Sequence, residues 1–260
     1  MAKMLRVAGL LSFVSLLSGC YEWQYLYPVG GRSLLPVATS YIKEEPGPFG
    51  TLAVSGYTTQ TDNGTQAMGV KFDGSMGFTK KQLVVEGYVS GSLGQVNIVH
   101  LNSNTSLYDS LECGYRSIMA GVRGMATFSH RQRFAFGVGP DLFYYSEAGD
   151  YETFRRANGN IDSSTAALRE FNRVGNNKGF GIGMHFDEQY RFNTKVGIGM
   201  QQAVVYTNLK DSGTEFPDFL QVANTIYVDV FNRNRLYVQF GLGKSTFAGV
   251  GYRFLMYGQQ

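Results

Sequence analysis

From Lys178 to Tyr206 the chain alternates with period two. Phe180, Ile182, Met184 and Phe186 interleave with Gly179, Gly181, Gly183 and His185. After a short polar turn, Val196, Ile198 and Met200 interleave with Lys195, Gly197, Gly199 and Gln201, and the string Gly-Ile-Gly-Met occurs in both arms. Successive side chains of a strand point to opposite faces. The pattern therefore predicts a hairpin with one bulky apolar face and one face that is tiny or polar. The same alternation continues through the late segments. Even positions carry Phe134, Phe136, Val138, Leu142, Tyr144, Ile226, Val228, Leu236, Val238, Phe240, Val250, Tyr252 and Phe254, interrupted by Pro140 and Asn224. Odd positions carry charged residues, glutamine and many glycines.

Eleven segments read as strands: 51–59, 65–73, 82–90, 94–102, 113–128, 132–146, 178–190, 193–207, 222–231, 235–243 and 246–256. Tight connections alternate with long ones at 147–177 and 208–221. Short turns at one end and long loops at the other are the wiring of an antiparallel up-and-down barrel, and such barrels use even strand numbers. We expect about ten strands, with eight and twelve as the neighbouring solutions. Within the first long loop, residues 162–173 read as a short helix, capped by Asp162 or Ser163 and ended by Gly175. The prolines at 36, 46 and 48 argue against a central strand over 21–49.

One apolar face is compatible with two architectures. In a soluble sandwich or barrel the apolar face is the core. In a transmembrane barrel it meets lipid, and the other face lines the lumen. The glycines favour the second. On a water-facing strand glycine weakens pairing without return, whereas inside a narrow barrel small residues make room for larger charged ones. The fold expected is thus all-β, an antiparallel up-and-down transmembrane barrel over residues 50–260. Composition agrees: 33 glycines, 14% aromatic and only 17% charged residues suit many strands. Lys3 and Arg6 account for part of the +3 net charge. With the leader removed the chain is nearly neutral, and no nucleic-acid partner is expected.

At the N-terminus, Lys3 and Arg6 precede an apolar run from Val7 to Leu17, too short to span a bilayer as a helix. Leu17-Ser18-Gly19-Cys20 follows, and it resembles the lipobox of bacterial lipoproteins. The resemblance implies a signal peptide over 1–19, a diacylglycerol and acyl chains on Cys20, and a lipidated tether over 20–49. Tyr21, in place of the aspartate that retains such proteins in the inner membrane, implies the outer membrane of a Gram-negative cell. It also implies lipoprotein-sorting and barrel-assembly machinery as partners. Trp23, Tyr25 and Tyr27 suit either the membrane interface or a hydrophobic plug on the domain. Near the other end, Gly249-Val-Gly-Tyr252-Arg-Phe254 is similar to the C-terminal assembly signal of outer-membrane barrels. It departs in the six residues after Phe254 and in Phe247.

Chemistry is sparse. Once Cys20 is lipidated, Cys113 is the one remaining cysteine, and it reads as a packed residue. Lumen-facing polar candidates are Arg133, Asp141, His185, Asp187, Lys195, Asp229 and Arg253, joined by Glu86, Arg116 and Arg123. His185 and Asp187 share a face and offer an acid–base or metal pair, but no second histidine lies at ligand spacing. Ion pairs that fill the lumen are the simpler expectation. No catalytic motif, metal site or cofactor is expected. The function expected is structural, adhesive or minor-pore. A soluble lipoprotein binding a ligand or protein, and a lipid-modifying barrel enzyme, are the alternatives.

Overall fold

The computed structural model describes residues 25–26, 47–61, 66–101, 108–130, 133–153, 172–173, 178–193, 195–207, 220–231, 233–242 and 245–257. Ten strands form one closed antiparallel barrel. In chain order they are β1 (Gly47–Thr61), β2 (Gln66–Lys80), β3 (Leu83–Leu101), β4 (Tyr108–His130), β5 (Phe134–Ala148), β6 (Lys178–Arg191), β7 (Val196–Thr207), β8 (Leu220–Val230), β9 (Asn234–Leu242) and β10 (Ser245–Tyr257). Each strand pairs with its sequence neighbours, and β10 closes the ring on β1 from Ser245 opposite Thr61 to Tyr257 opposite Gly50. Closure leaves no free edge for the backbone hydrogen bonds.

The eleven segments reduce to ten because 82–90 and 94–102 are one strand. Gly91-Ser92 reads as a turn in the sequence, yet Gly91 stays in register between Phe72 and Ile118. The first strand also begins earlier than expected, at Gly47, and includes Pro48. Pairing with β10 stops at Gly50, so Pro48 needs a partner only on the β2 side, opposite Phe78. Its missing N–H costs no bond to a second neighbour.

Connections 81–82, 131–133, 192–195 and 231–233 are short and lie at the end of the barrel where β1 starts and β10 finishes. Two of them place a non-glycine residue at positive φ, Lys81 and Phe231. In the β6–β7 turn the Asn193 side chain accepts from the backbone N–H groups of Lys195 and Val196, a local hydrogen bond that fixes the reversal. The strands joined by the long connections, 149–177 and 208–219, meet those connections at the opposite end of the barrel. The first opens on Gly149, at φ 116°, and a helical turn at 150–153. That turn carries Tyr151 into the lumen, where it is buried against Tyr115 and Tyr145 in one cluster. The helix expected over 162–173 falls outside the described residues except at its end. There Asn172 and Arg173 are extended and pair with Tyr25 and Leu26.

Large apolar side chains cover the outside: Ile182 is 52% exposed, Phe72 55%, Val238 51% and Val250 64%. Arg123, Lys71 and Asp141 are instead enclosed, at 1%, 1% and 0%. This distribution inverts that of a soluble protein. A contiguous apolar belt around the whole ring is unfavourable in water and favourable in hydrocarbon. The soluble barrel is thereby corrected: its apolar face would have pointed inward. Near the short-turn end, Phe78, Phe128, Tyr190, Phe192, Phe231 and Phe254 are all exposed, as befits an aromatic girdle at a membrane interface. No helix among the described residues is long and apolar enough to cross a membrane.

The lumenal glycines act differently from the sequence expectation. They make room for rings on the adjacent strand. Phe49 lies over Gly77, Tyr57 over Gly69, Tyr88 over Gly121, Tyr115 over Gly94, Phe143 over Gly181, Tyr227 over Gly199, Tyr237 over Gly251 and Phe247 over Gly241. Each ring is directly cross-strand from its glycine. Every pair lies within a hairpin closed at the long-loop end: β1–β2, β3–β4, β5–β6, β7–β8 or β9–β10. A ring over a cross-strand glycine restores packing that glycine alone forfeits and fixes register.

Candidate functional site: the lumenal polar network

Glu86 on β3, Arg123 on β4 and Asp141 on β5 are mutual register partners, so they form a line across the lumenal wall. Arg123 donates to Asp141 Oδ2 through Nε at 3.2 Å and Nη2 at 3.0 Å. Its Nη1 lies 3.5 Å from Glu86 Oε2. His185 Nε2 is 2.8 Å from the same Asp141 Oδ2. The hydroxyl of Tyr88 donates to Asp141 Oδ1 at 2.8 Å.

Glycine makes this convergence possible. Tyr88 is on β3 and Asp141 on β5, with β4 between them. The Tyr88 ring reaches across because Gly121 on β4 has no side chain; a Cβ there would lie 2.5 Å from the ring. The Arg123 guanidinium stacks 5.0 Å from the Tyr88 ring centroid. The arrangement recurs on the adjoining wall, β6 to β8. Tyr227 on β8 lies over Gly199 on β7 and donates to Asp187 Oδ1 on β6 at 2.9 Å. Arg235 stacks 3.6 Å from the Tyr227 centroid. Arg235 also grips its cross-strand partner Asp229, Nε to Oδ1 at 2.6 Å and Nη2 to Oδ2 at 2.8 Å, and Gln189 adds a bond to Oδ2 at 2.6 Å. Each wall is thus a tyrosine bridging one strand, with an arginine on its face and a carboxylate under its hydroxyl.

Of the candidates read from sequence, Asp141, His185, Asp187, Asp229 and Arg253 are buried inside. Arg253 is directly cross-strand from Arg235. Arg133 and Lys195 are corrected: both sit in exposed turns, because β5 starts at Phe134 and β7 at Val196, later than the alternation suggested. Arg116 is exposed on the outer face, level with the end of β5 at Ala148. The pairing of His185 with Asp187 does not form either. His185 turns to Asp141 and Asp187 to Tyr227. Sequence reasoning missed Tyr88, Tyr227, Arg235 and the Lys71–Asp73 pair at 3.1 Å. The signal for the tyrosines is weak, since it needs the register that sets each opposite a glycine.

Chemically, the arrangement is a set of struts. Asp141 accepts from four donor groups, three at Oδ2 and one at Oδ1. No group of three or more His, Cys, Asp or Glu able to hold a metal occurs among the described residues. Charge-assisted bonds of this kind add geometric specificity to a wall of strands. We expect Gly121→Val to overpack the Tyr88 ring and cost about 1–3 kcal/mol. Gly56→Ala, where an added Cβ meets nothing within 4 Å, is the neutral control. Urea titration of the folded band in lipid vesicles reads both.

No protein-family model and no curated protein matches this chain. Solved structures similar to it are barrels. Neisserial surface protein A is 12% identical, with a TM-score of 0.36 over 81% of this chain and 99% of its own. An outer membrane channel from Pseudomonas putida F1 is 11% identical, with a TM-score of 0.42 over 89% and 100%. The NanC porin is 10% identical, with a TM-score of 0.39 over 78% and 98%. At these scores the fold assignment rests on the strand pairing of the chain itself.

Proposed function

We propose that the protein is an outer-membrane β-barrel with a structural or adhesive role, anchored additionally by lipid on Cys20. The observation that carries this reading is the inversion of faces: a closed ring with large apolar side chains outside and neutralised charges within. The filled lumen favours a structural or adhesive role over a pore. Apolar Phe49, Val84 and Met125 pack together where β1 and β3 begin and β4 ends. The struts occupy the middle, and a layer of tyrosines with Tyr151 occupies the long-loop end. At that end β4 begins at Tyr108, eight residues before its pairing with β5 starts at Arg116, so β3 and β4 extend past β5.

Two measurements test the proposal. The purified protein should migrate differently in cold and heated SDS gels, as a closed hydrogen-bonded ring resists detergent until heated. Identical migration with detergent-free solubility of a Cys20→Ala variant rules the membrane barrel out. Labelled palmitate should enter the wild-type chain and not Cys20→Ala. Label in both, or in neither, removes the anchor while leaving the barrel intact.

A further inference from the structure

The chain upstream of the barrel comes back to the far end of it. β1 starts at Gly47, so the chain enters the ring at the short-turn end. Upstream of it, Tyr25 and Leu26 pair in parallel with Asn172 and Arg173, which belong to the 149–177 connection. Arg173 is five residues from Lys178, where β6 starts at the long-loop end, so it lies within about 18 Å of that rim. Twenty residues, 27–46, join Leu26 to Gly47. Fully extended they span about 70 Å. The fifteen residues of β2 measure about 50 Å along the strand, and less along the axis of a barrel with tilted strands. The joining segment is therefore long enough to pass from one end to the other.

The lumen carries a second mark of this route. Along the inner face of β2, buried polar groups follow one another from the short-turn end: Thr79, Asp73 and Lys71, then Tyr115, whose ring lies over Gly94 on β3. Thr79 Oγ1, Asp73 Oδ1, Lys71 Nζ and the Tyr115 hydroxyl have no hydrogen-bond partner among the described residues; Lys71 and Asp73 meet as an ion pair at 3.1 Å. The side chains beside that pair are small. Ser55 and Ser92 flank Lys71, and Ala53 and Ser90 flank Asp73. An extended backbone carries one N–H and one C=O per non-proline residue, which are the partners these groups need. The outer surface offers no such route, because irregular backbone beside the apolar belt would meet hydrocarbon with its polar groups unpaired. We propose that residues 27–46 run through the lumen along β2, and that the pairing of Tyr25–Leu26 with Asn172–Arg173 holds the N-terminal segment at the long-loop end. In outer-membrane barrels the short turns face the periplasm and the long loops face the cell exterior. Cys20 is five residues before Tyr25, so its lipid enters the outer leaflet from the cell surface.

The route rests on the membrane-barrel reading and on lipid at Cys20, and the experiment reads the three separately. The full chain is expressed in a Gram-negative outer membrane with a short peptide tag inserted between Glu22 and Trp23. Its cold-gel shift and palmitate label are recorded on the same cells. Antibody should bind this tag on intact cells as fully as on permeabilised ones, and a tag in the 208–219 connection should behave alike. A tag between Arg131 and Gln132, in the β4–β5 turn, should be reached only after permeabilisation. Val37→Cys, midway along the joining segment, should resist a bulky polyethylene-glycol maleimide in the unheated protein and react completely after heating. An N-terminal tag reached only after permeabilisation, or a Val37→Cys thiol that reacts equally before and after heating, overturns the route with shift and label intact. Absence of the label overturns the placement of the lipid, and the tag still decides the route. Loss of the shift in the wild type overturns barrel and route together.

Discussion

Ile182→Arg and Val238→Arg are each expected to prevent assembly of the barrel. Both side chains point outward and are about half exposed, in the middle of their strands. An arginine there must enter hydrocarbon, at about 2–4 kcal/mol near the midplane. The folded chain has only a narrow margin over its unfolded states, so either charge removes a large share of it. Gln239→Glu is the matched control. Gln239 is the neighbour of Val238 on β9 but points inward and is buried among polar residues. The cold-gel shift after expression reads all three. Persistence of the shift in both arginine variants would mean that the apolar belt does not face lipid.

Asp141→Ala is expected to be the most damaging change inside the lumen. Asp141 balances Arg123 and receives the Tyr88 hydroxyl and a His185 nitrogen. Its removal leaves a buried guanidinium beside Glu86, whose Oε2 is 3.5 Å from Nη1. Breaking a buried pair from one side costs about 3–5 kcal/mol, more than the pair contributes over an apolar substitute. Asp141→Asn keeps the acceptor oxygen and should cost less. The double variant Asp141→Leu/Arg123→Met removes both charges and should recover much of the loss. Urea midpoints of the vesicle-inserted protein give the three values. If Asp141→Ala and the double variant are equally weakened, the damage comes from cavity formation and not from the stranded charge.

Part of this architecture is legible residue by residue. The alternation through Phe180, Ile182, Met184 and Val238, Phe240 predicts which side chains share a face, because a strand has only two faces. The absence of charge among those positions predicts that the face is apolar. Parity alone does not carry across turns. It places Glu86 inward, on even-numbered β3 positions, but Arg116 outward on β4, and both were expected in the lumen. Gly91 shows a second limit. Glycine next to serine reads as a turn when no neighbour is known, and becomes mid-strand once Phe72 and Ile118 flank it. Arg133 and Lys195 show a third. The side-chain alternation runs smoothly into a turn, and only backbone pairing marks where the strand starts.

By itself the sequence determined the all-β class, the alternation of short and long connections, and the two-faced character of each strand. These follow from local periodicity and turn chemistry, which act within a few residues. Only the tertiary structure decided the strand count, the closure of β10 on β1, and which face of each strand points inward. It also decided the partners inside: His185 with Asp141 and not Asp187, Tyr88 across Gly121, Tyr227 across Gly199. Those pairings depend on register between segments tens of residues apart, and register is a property of the closed ring rather than of any one strand.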